Sequence, residues 1–250
     1  MDFLPTGFLP GVPEERVLTC LRRAPGNELA PGKFDSPESS AALASNAFGW
    51  FLDRPGLLAP LPGVPMGRPE GVEIEAEMRF PWRGGKHPRF DAAITTATTL
   101  VGVESKRYEP FRPQKAADFS LAYDRDWREG LARYTALRRD LAAGRKAFRT
   151  LGAAELIRQA YGLATQGARQ GRGAVLVYLY AEPERWASGK PLDPAAVALH
   201  RKELAEFAGL VRGDLVSFMP LTWRDLLAQW AATPATAAHA GALLARFGPL

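Results

Sequence analysis

The 250-residue sequence predicts an α/β fold built on a mixed β-sheet, an antiparallel meander followed by crossover strands, with helices on its flanks. Three observations carry this expectation. Residues 72–80 alternate strictly between apolar and charged or small positions, and two further strand patterns follow at 90–96 and 99–107, close enough for a hairpin. Residues 174–180, AVLVYLY, form an unbroken apolar run of the kind found in strands covered on both faces. A hydrophobic fraction of 46% is enough to build a sizeable core, and 24% charged residues is ordinary for a folded chain.

The elements follow in order. Residues 1–35, rich in Pro and Gly, read as an arm. Ser36-Pro37-Glu38 reads as a helix start, with Ser36 as N-cap and Glu38 at the positive end of the dipole. That helix runs to residue 52, with Leu43, Ala47, Trp50 and Phe51 as its apolar stripe, and stops before Pro55-Gly56. In the first strand Val72, Ile74, Ala76, Met78 and Phe80 face one way and Glu73, Glu75 and Glu77 the other. After the hairpin, Trp127, Leu131, Tyr134, Leu137 and Leu141 share one face of a helix over 126–143, where Asp126 and Glu129 could form a capping box. A second helix spans 153–169. The buried strand at 174–180 leads to a helix near 195–210, an edge strand at 215–221 marked by Pro220, and a short helix from Trp223 to Trp230. The expected organisation is an arm at 1–35, a folded unit at 36–231 and an Ala-rich tail at 232–250.

Several function classes are excluded. No apolar run is long enough to span a bilayer. The N-terminus lacks a basic start and is broken by Pro5, Pro10 and Pro13, so a signal peptide is not expected and a cytoplasmic location follows. The lone Cys20 rules out an internal disulfide and a Cys-based zinc site, and three scattered histidines (His87, His200 and His239) argue against a His-rich metal centre. The formal charge of +5 is uneven. Residues 101–172 carry 15 Lys and Arg against 8 Asp and Glu, whereas residues 1–100 carry 10 against 12. A basic segment suits a polyanion such as nucleic acid, although a solvated arginine-rich helix face explains it equally well.

The chemistry concentrates on the hairpin. Asp91 lies one residue into the second strand; Glu104 and Lys106, two apart on the third, project from the same face. Gly102 shares that face, leaving room for a ligand, while Ser105 points away. Two carboxylates can hold a hard cation such as Mg²⁺, which neutralises a phosphate and activates water, and a neighbouring ammonium can stabilise or position the nucleophile. Acid-any-lysine is a weak pattern: about one chance match is expected from this composition. Glu104-Ser105-Lys106 is the one match in the chain, and it uses lysine in a protein with 25 arginines and 7 lysines.

Asp91, twelve intervening residues, then Glu104-Ser105-Lys106 resembles the signature of the PD-(D/E)XK nuclease superfamily, whose restriction-endonuclease-like core has this order of elements. Ser39-Ser40, Leu43, Asn46 and the strand from Leu176 to Glu182 are similar to an uncharacterised bacterial group within it. The resemblance covers about residues 33–230 and departs at one point: Pro88-Arg89-Phe90 replaces the proline that usually precedes the aspartate. It implies an endonuclease cutting nucleic acid, foremost DNA, with Asp91 and Glu104 holding Mg²⁺ (or Mn²⁺ in its place) and Lys106 as the catalytic lysine. A homodimer is common where such enzymes cut both strands. A further acid from the first helix often joins the metal in this superfamily, which points to Glu38; Glu77 is a rival, and both have plain readings as a dipole acid and a solvated strand face.

Phosphate contacts are expected from Arg107, Arg112 and Lys115, with Tyr108 and Phe111 free to stack on bases, although packing on the sheet is the commoner fate of such rings. Glu155, Gln159, Gln166 and Arg169 fall on one side of their helix, where they could line the cleft or simply meet solvent. Trp127 and Trp223 are assigned to the core. Two other classes remain in view: a silent nuclease fold that binds nucleic acid or a protein, and a small-molecule enzyme. The second lacks any Gly-rich phosphate loop, GxGxxG or GxSxG motif.

Overall fold

Five strands form one sheet in the order β1-β2-β3-β4-β5: Pro69–Glu77, Arg89–Thr96, Thr99–Lys106, Gly173–Tyr180 and Val216–Thr222. A computed structural model describes residues 7–82, 86–114, 119–125, 127 and 129–250. The first three strands pair antiparallel as a meander, and β3–β4 and β4–β5 pair parallel. The parallel pairs require crossovers, and helices supply them. The fold is therefore the mixed, helix-flanked sheet that the sequence predicts.

Helices cover both faces. On one side α1 (Glu14–Arg23), α2 (Ser40–Gly49), α6 (Trp223–Ala232) and α7 (Ala237–Phe247) pack on Ile74, Ala92, Val101, Val103, Val175 and Val177. On the other side α3 (Ala132–Ala142), α4 (Ala153–Arg169) and α5 (Pro194–Val211) cover Phe90, Leu100, Leu176 and Phe218. Because β3 and β4 are covered on both faces, their residues are almost continuously buried.

Three expectations about the helices change. The arm at 1–35 contains α1, whose Val17 and Leu21 belong to the same core as the sheet. The Ala-rich tail likewise contains α7, which buries Ala240, Leu243 and Phe247. Composition hid both, because short helices need only one apolar stripe to be held. The helix expected after Ser36 starts at Ser40, four residues after that cap. Ser39, not Ser36, accepts the Ala42 amide at 3.1 Å, so Glu38 precedes the helix instead of lying in its first turn.

The segment 126–143 is helical only from Ala132. Asp126 lies outside the described residues. The α3 N-terminus is capped from a distance: Asp214 accepts from the Arg133 and Tyr134 amides at 2.9 Å each.

The strict alternation of 72–80 conceals a change of face. Val72 and Ile74 pack with the first helix layer, whereas Ala76, Met78 and Phe80 pack with the second. The switch occurs at Glu75, whose φ of 51° is unusual for any residue with a side chain. β2 does the same one strand over: Phe90 belongs to the second layer and Ala92 to the first, with Asp91 between them.

Candidate active site

The irregularities at Glu75 and Asp91 lie beside each other and beside Glu104. The β2–β3 ladder pairs Ala92 with Val103, and continuing its register by one step sets Asp91 opposite Glu104. The β1–β2 register pairs Ile74 with Ala92 and Ala76 with Phe90, which sets Glu75 opposite Asp91. Three carboxylates thus cross three neighbouring strands in one row, and all three line a single cleft of about 480 Å³. At this step Asp91 Oδ2 takes the Ser105 amide at 2.6 Å, a side-chain bond that pins the ends of β2 and β3 together.

Lys106 completes the group. Its ammonium donates to Glu104 Oε1 and pairs with Glu155 Oε2 at 2.9 Å. Glu104 is only 6% exposed, and its other oxygen accepts from Gln159 Nε2 on α4, which also reaches the Arg89 carbonyl at 3.0 Å. Gln159 therefore ties both site strands to the helix above them.

The electrostatics record the cost of this gathering. Burial raises Asp91 well above the ordinary carboxylate range, and the Glu104 charge adds to the rise. Burial also lifts Glu104, to about 7, against the pull of Lys106. For Lys106, burial works against the ammonium, but Glu104, Glu155 and Asp91 together hold it well above its usual value. Lys106 in turn lowers Glu155. Among the described residues lining the cleft, seven carboxylates face four cationic side chains.

That donor set fits a hard divalent cation: oxygen ligands, a surplus of negative charge and no soft donor. Among the described residues no three His, Cys, Asp or Glu side chains gather at one point as a closed metal cage. The fit is thus to an ion held by one or two carboxylates that keeps several waters, as Mg²⁺ does.

The other sequence candidates are placed differently. Glu38 lines the cleft but pairs with Arg112 and accepts the Ala187 amide at 3.1 Å. Glu77 pairs with Arg79 and Arg89 away from it. Arg107 is 3% exposed, and its guanidinium donates to the Pro37 and Phe247 carbonyls, locking α7 to the segment before α2. A group spent on buried carbonyls is not available to phosphate. Arg112 is exposed and borders the cleft. Lys115 lies outside the described residues. Gln166 and Arg169 are about two turns and more beyond Gln159 along α4, which carries them away from the cleft. Arg169 instead donates to the Arg79 and Phe80 carbonyls at 3.0 and 2.9 Å.

Tyr108 is buried against Trp186 with ring centroids 5.5 Å apart, and Phe111 meets His200 edge-on, so neither stands free for a base. Gly102 leaves no room for a ligand, because a Cβ there would lie 2.6 Å from the Phe90 ring. Trp223 is fully buried, and Trp127 stacks on Tyr161 at 3.8 Å.

Sequence reasoning passed over Glu75 as one of three solvated glutamates. No periodicity rule could single it out; only the register with Asp91 does so.

A meander carrying cross-strand carboxylates and a lysine, extended by parallel strands, defines a restriction-endonuclease-like domain. The family model described as "Restriction Endonuclease associating with ARP" matches residues 20–248, and the chain belongs to that family. The match takes in α7 and the end of α1. No curated protein and no solved structure matches the chain. Among the described residues no helix is long and apolar enough to cross a membrane.

Proposed function

We propose that this protein is a Mg²⁺-dependent endonuclease that hydrolyses phosphodiester bonds in nucleic acid, with DNA as the foremost substrate. One observation carries the reading: Asp91 and Glu104 meet across paired strands in an acidic cleft, with the Lys106 ammonium beside them. Membership of a restriction-endonuclease family supports it.

Asp91 and Glu104 would hold the cation. When bound, it supplies charge neutralisation for the scissile phosphate and acidifies the attacking water. Lys106 places a positive charge next to the developing negative charge and orients the nucleophile. Gln159 keeps Glu104 aimed through Oε2, and Glu155 keeps the Lys106 ammonium charged and directed into the cleft. Glu75, in register with Asp91, adds negative charge to the cleft without serving as a ligand, and Glu38 is engaged by Arg112.

The test is a cleavage assay on single- and double-stranded DNA and RNA with Mg²⁺ or Mn²⁺. Hydrolysis should appear with the cation and fall on the order of 100-fold or more in Lys106→Ala and Asp91→Ala, while circular dichroism shows retained folding. A folded wild-type protein that cuts none of these substrates overturns the proposal. The hold of two glutamates on the Lys106 ammonium favours a second reading, a silent nuclease-fold module. Equal nucleic-acid affinity with and without metal, unchanged in Asp91→Asn, would favour that module.

A further inference from the structure

Adjoining the acidic cleft is a second, larger opening. It shares Arg89, Lys106, Glu109, Arg112 and Glu155 with the cleft and continues past Trp82, Lys86 and His87, the start of α4 and the segment 144–149. Its volume, about 1880 Å³, exceeds the roughly 300–1,000 Å³ of small-molecule sites and suits part of a polymer. The sign of charge reverses along the way. Seven cationic side chains against three carboxylates line the described wall; Lys86, Arg89, Arg112, Lys146, Arg149 and Arg158 stand with Lys106 among them.

The wall also carries rings. Trp82 and Tyr123 are half-buried and line the opening, as does Phe148. Each of the first two is braced from behind. Trp82 packs on Phe80 and Trp127 at 4.9 and 5.2 Å, and Tyr123 packs on Phe80 at 5.8 Å. Arg125 sits over one face of the Trp82 ring, 4.7 Å from its centroid, so a base stacking on that face displaces it. A braced, half-exposed ring is a rigid stacking platform that costs little further ordering.

We infer that this groove seats a single strand of nucleic acid, its phosphates along the cations and its bases against Trp82 and Tyr123, and leads it into the acidic cleft. The inference rests on reading that cleft as a phosphodiester-cleaving centre. Cations alone would serve a duplex as well. Rings distinguish the two, because in a duplex each base face is covered by its neighbour and only unstacked bases can lie on an aromatic side chain.

The test reads binding, not cleavage. Fluorescence anisotropy would follow a labelled single-stranded oligodeoxynucleotide and the blunt duplex of the same sequence, in EDTA and across a salt series. The single strand should bind at least about tenfold more tightly than the duplex. Trp82→Ala and Tyr123→Ala should each weaken that binding roughly 5- to 100-fold, and Trp82→Phe should restore most of it. Lys86→Glu, at an exposed position, should reduce the salt dependence. The Phe and Glu variants keep the test decisive if loss of a packed ring prevents folding.

Equal or tighter duplex binding, binding of neither form, or folded ring variants that bind like wild type would each overturn the inference. Single-strand binding by a protein that cleaves nothing would sink the nuclease proposal and leave the groove standing. Efficient cleavage with no single-strand preference would do the reverse.

Discussion

Asp91 and Glu75 are held at a thermodynamic disadvantage, the one by burial of its carboxyl and the other by its backbone. Asp91 keeps its bond from the Ser105 amide whether it is Asp or Asn, but as Asn it no longer sets a buried charge beside Glu104. We therefore expect Asp91→Asn, without divalent cations, to unfold at higher urea than wild type, by about 1 kcal/mol, while cleavage is lost. An unchanged or lower midpoint would count against the electrostatic account. Glu75 tests the backbone. At φ 51° a side chain is strained and glycine is not, so Glu75→Gly should exceed Glu75→Ala in stability by about 1 kcal/mol. The reverse order would mean that the strand does not bend there. Neither residue is marked in the amino-acid string. Asp91 could be found because it precedes an acid-any-lysine match on a neighbouring strand; Glu75 could not, because its two flanking glutamates obey the same alternation.

At the scale of elements, local signals mark a helix or strand that makes its own case and fail where another element completes it. The pattern bounds α4 at both ends and β4 to within a residue, because a long amphipathic stretch and an apolar run each carry their own signal. The start of α3 is not legible locally, because its cap comes from Asp214, 80 residues from Tyr134, just before β5. Asp214→Ala should cost about 1–2 kcal/mol in chemical denaturation, and Asp214→Asn much less, since asparagine also accepts from the free amides. Equal losses in the two would show that the charge, not the cap, matters. Arg107 teaches the same lesson: a basic residue beside a reactive strand invites a phosphate reading, yet two carbonyls from distant segments consume it.

Over the whole molecule, the two ends of the chain close the core. Deleting 232–250 would strip Ala240, Leu243 and Phe247 from the layer that covers the sheet and leave the buried Arg107 without one of its carbonyls. Loss of Leu and Phe burial alone costs several kcal/mol, so the truncated chain should lose its cooperative thermal transition. A truncated protein that melts like the full chain would restore the tail to its expected status.

Acid stability is a second property of the whole fold. Burial lowers His200 and His239 to about 4, so the unfolded chain binds those protons first. Their contribution is complete above pH 6.5 and is lost as pH falls toward 4, by about 3 kcal/mol for each ring at pH 4. Asp91 and Glu104, raised by burial, push the other way. The useful measurement is therefore the wild-type stability minus that of His239→Gln, which should fall between pH 7 and pH 5. A difference independent of pH would refute the assignment.

By itself, the sequence determined the strands and most helices, and the pairing of Asp91 with Glu104 and Lys106, because these rest on periodicity and on spacing within a hairpin. Tertiary structure alone decided that Glu75 lies in register with Asp91, that Gln159 hydrogen-bonds Glu104, that Arg107 is structural, and that Trp82 and Tyr123 line the adjoining groove. Each of those depends on which distant segments meet. A contact between residues far apart in the chain leaves no period and no spacing to read.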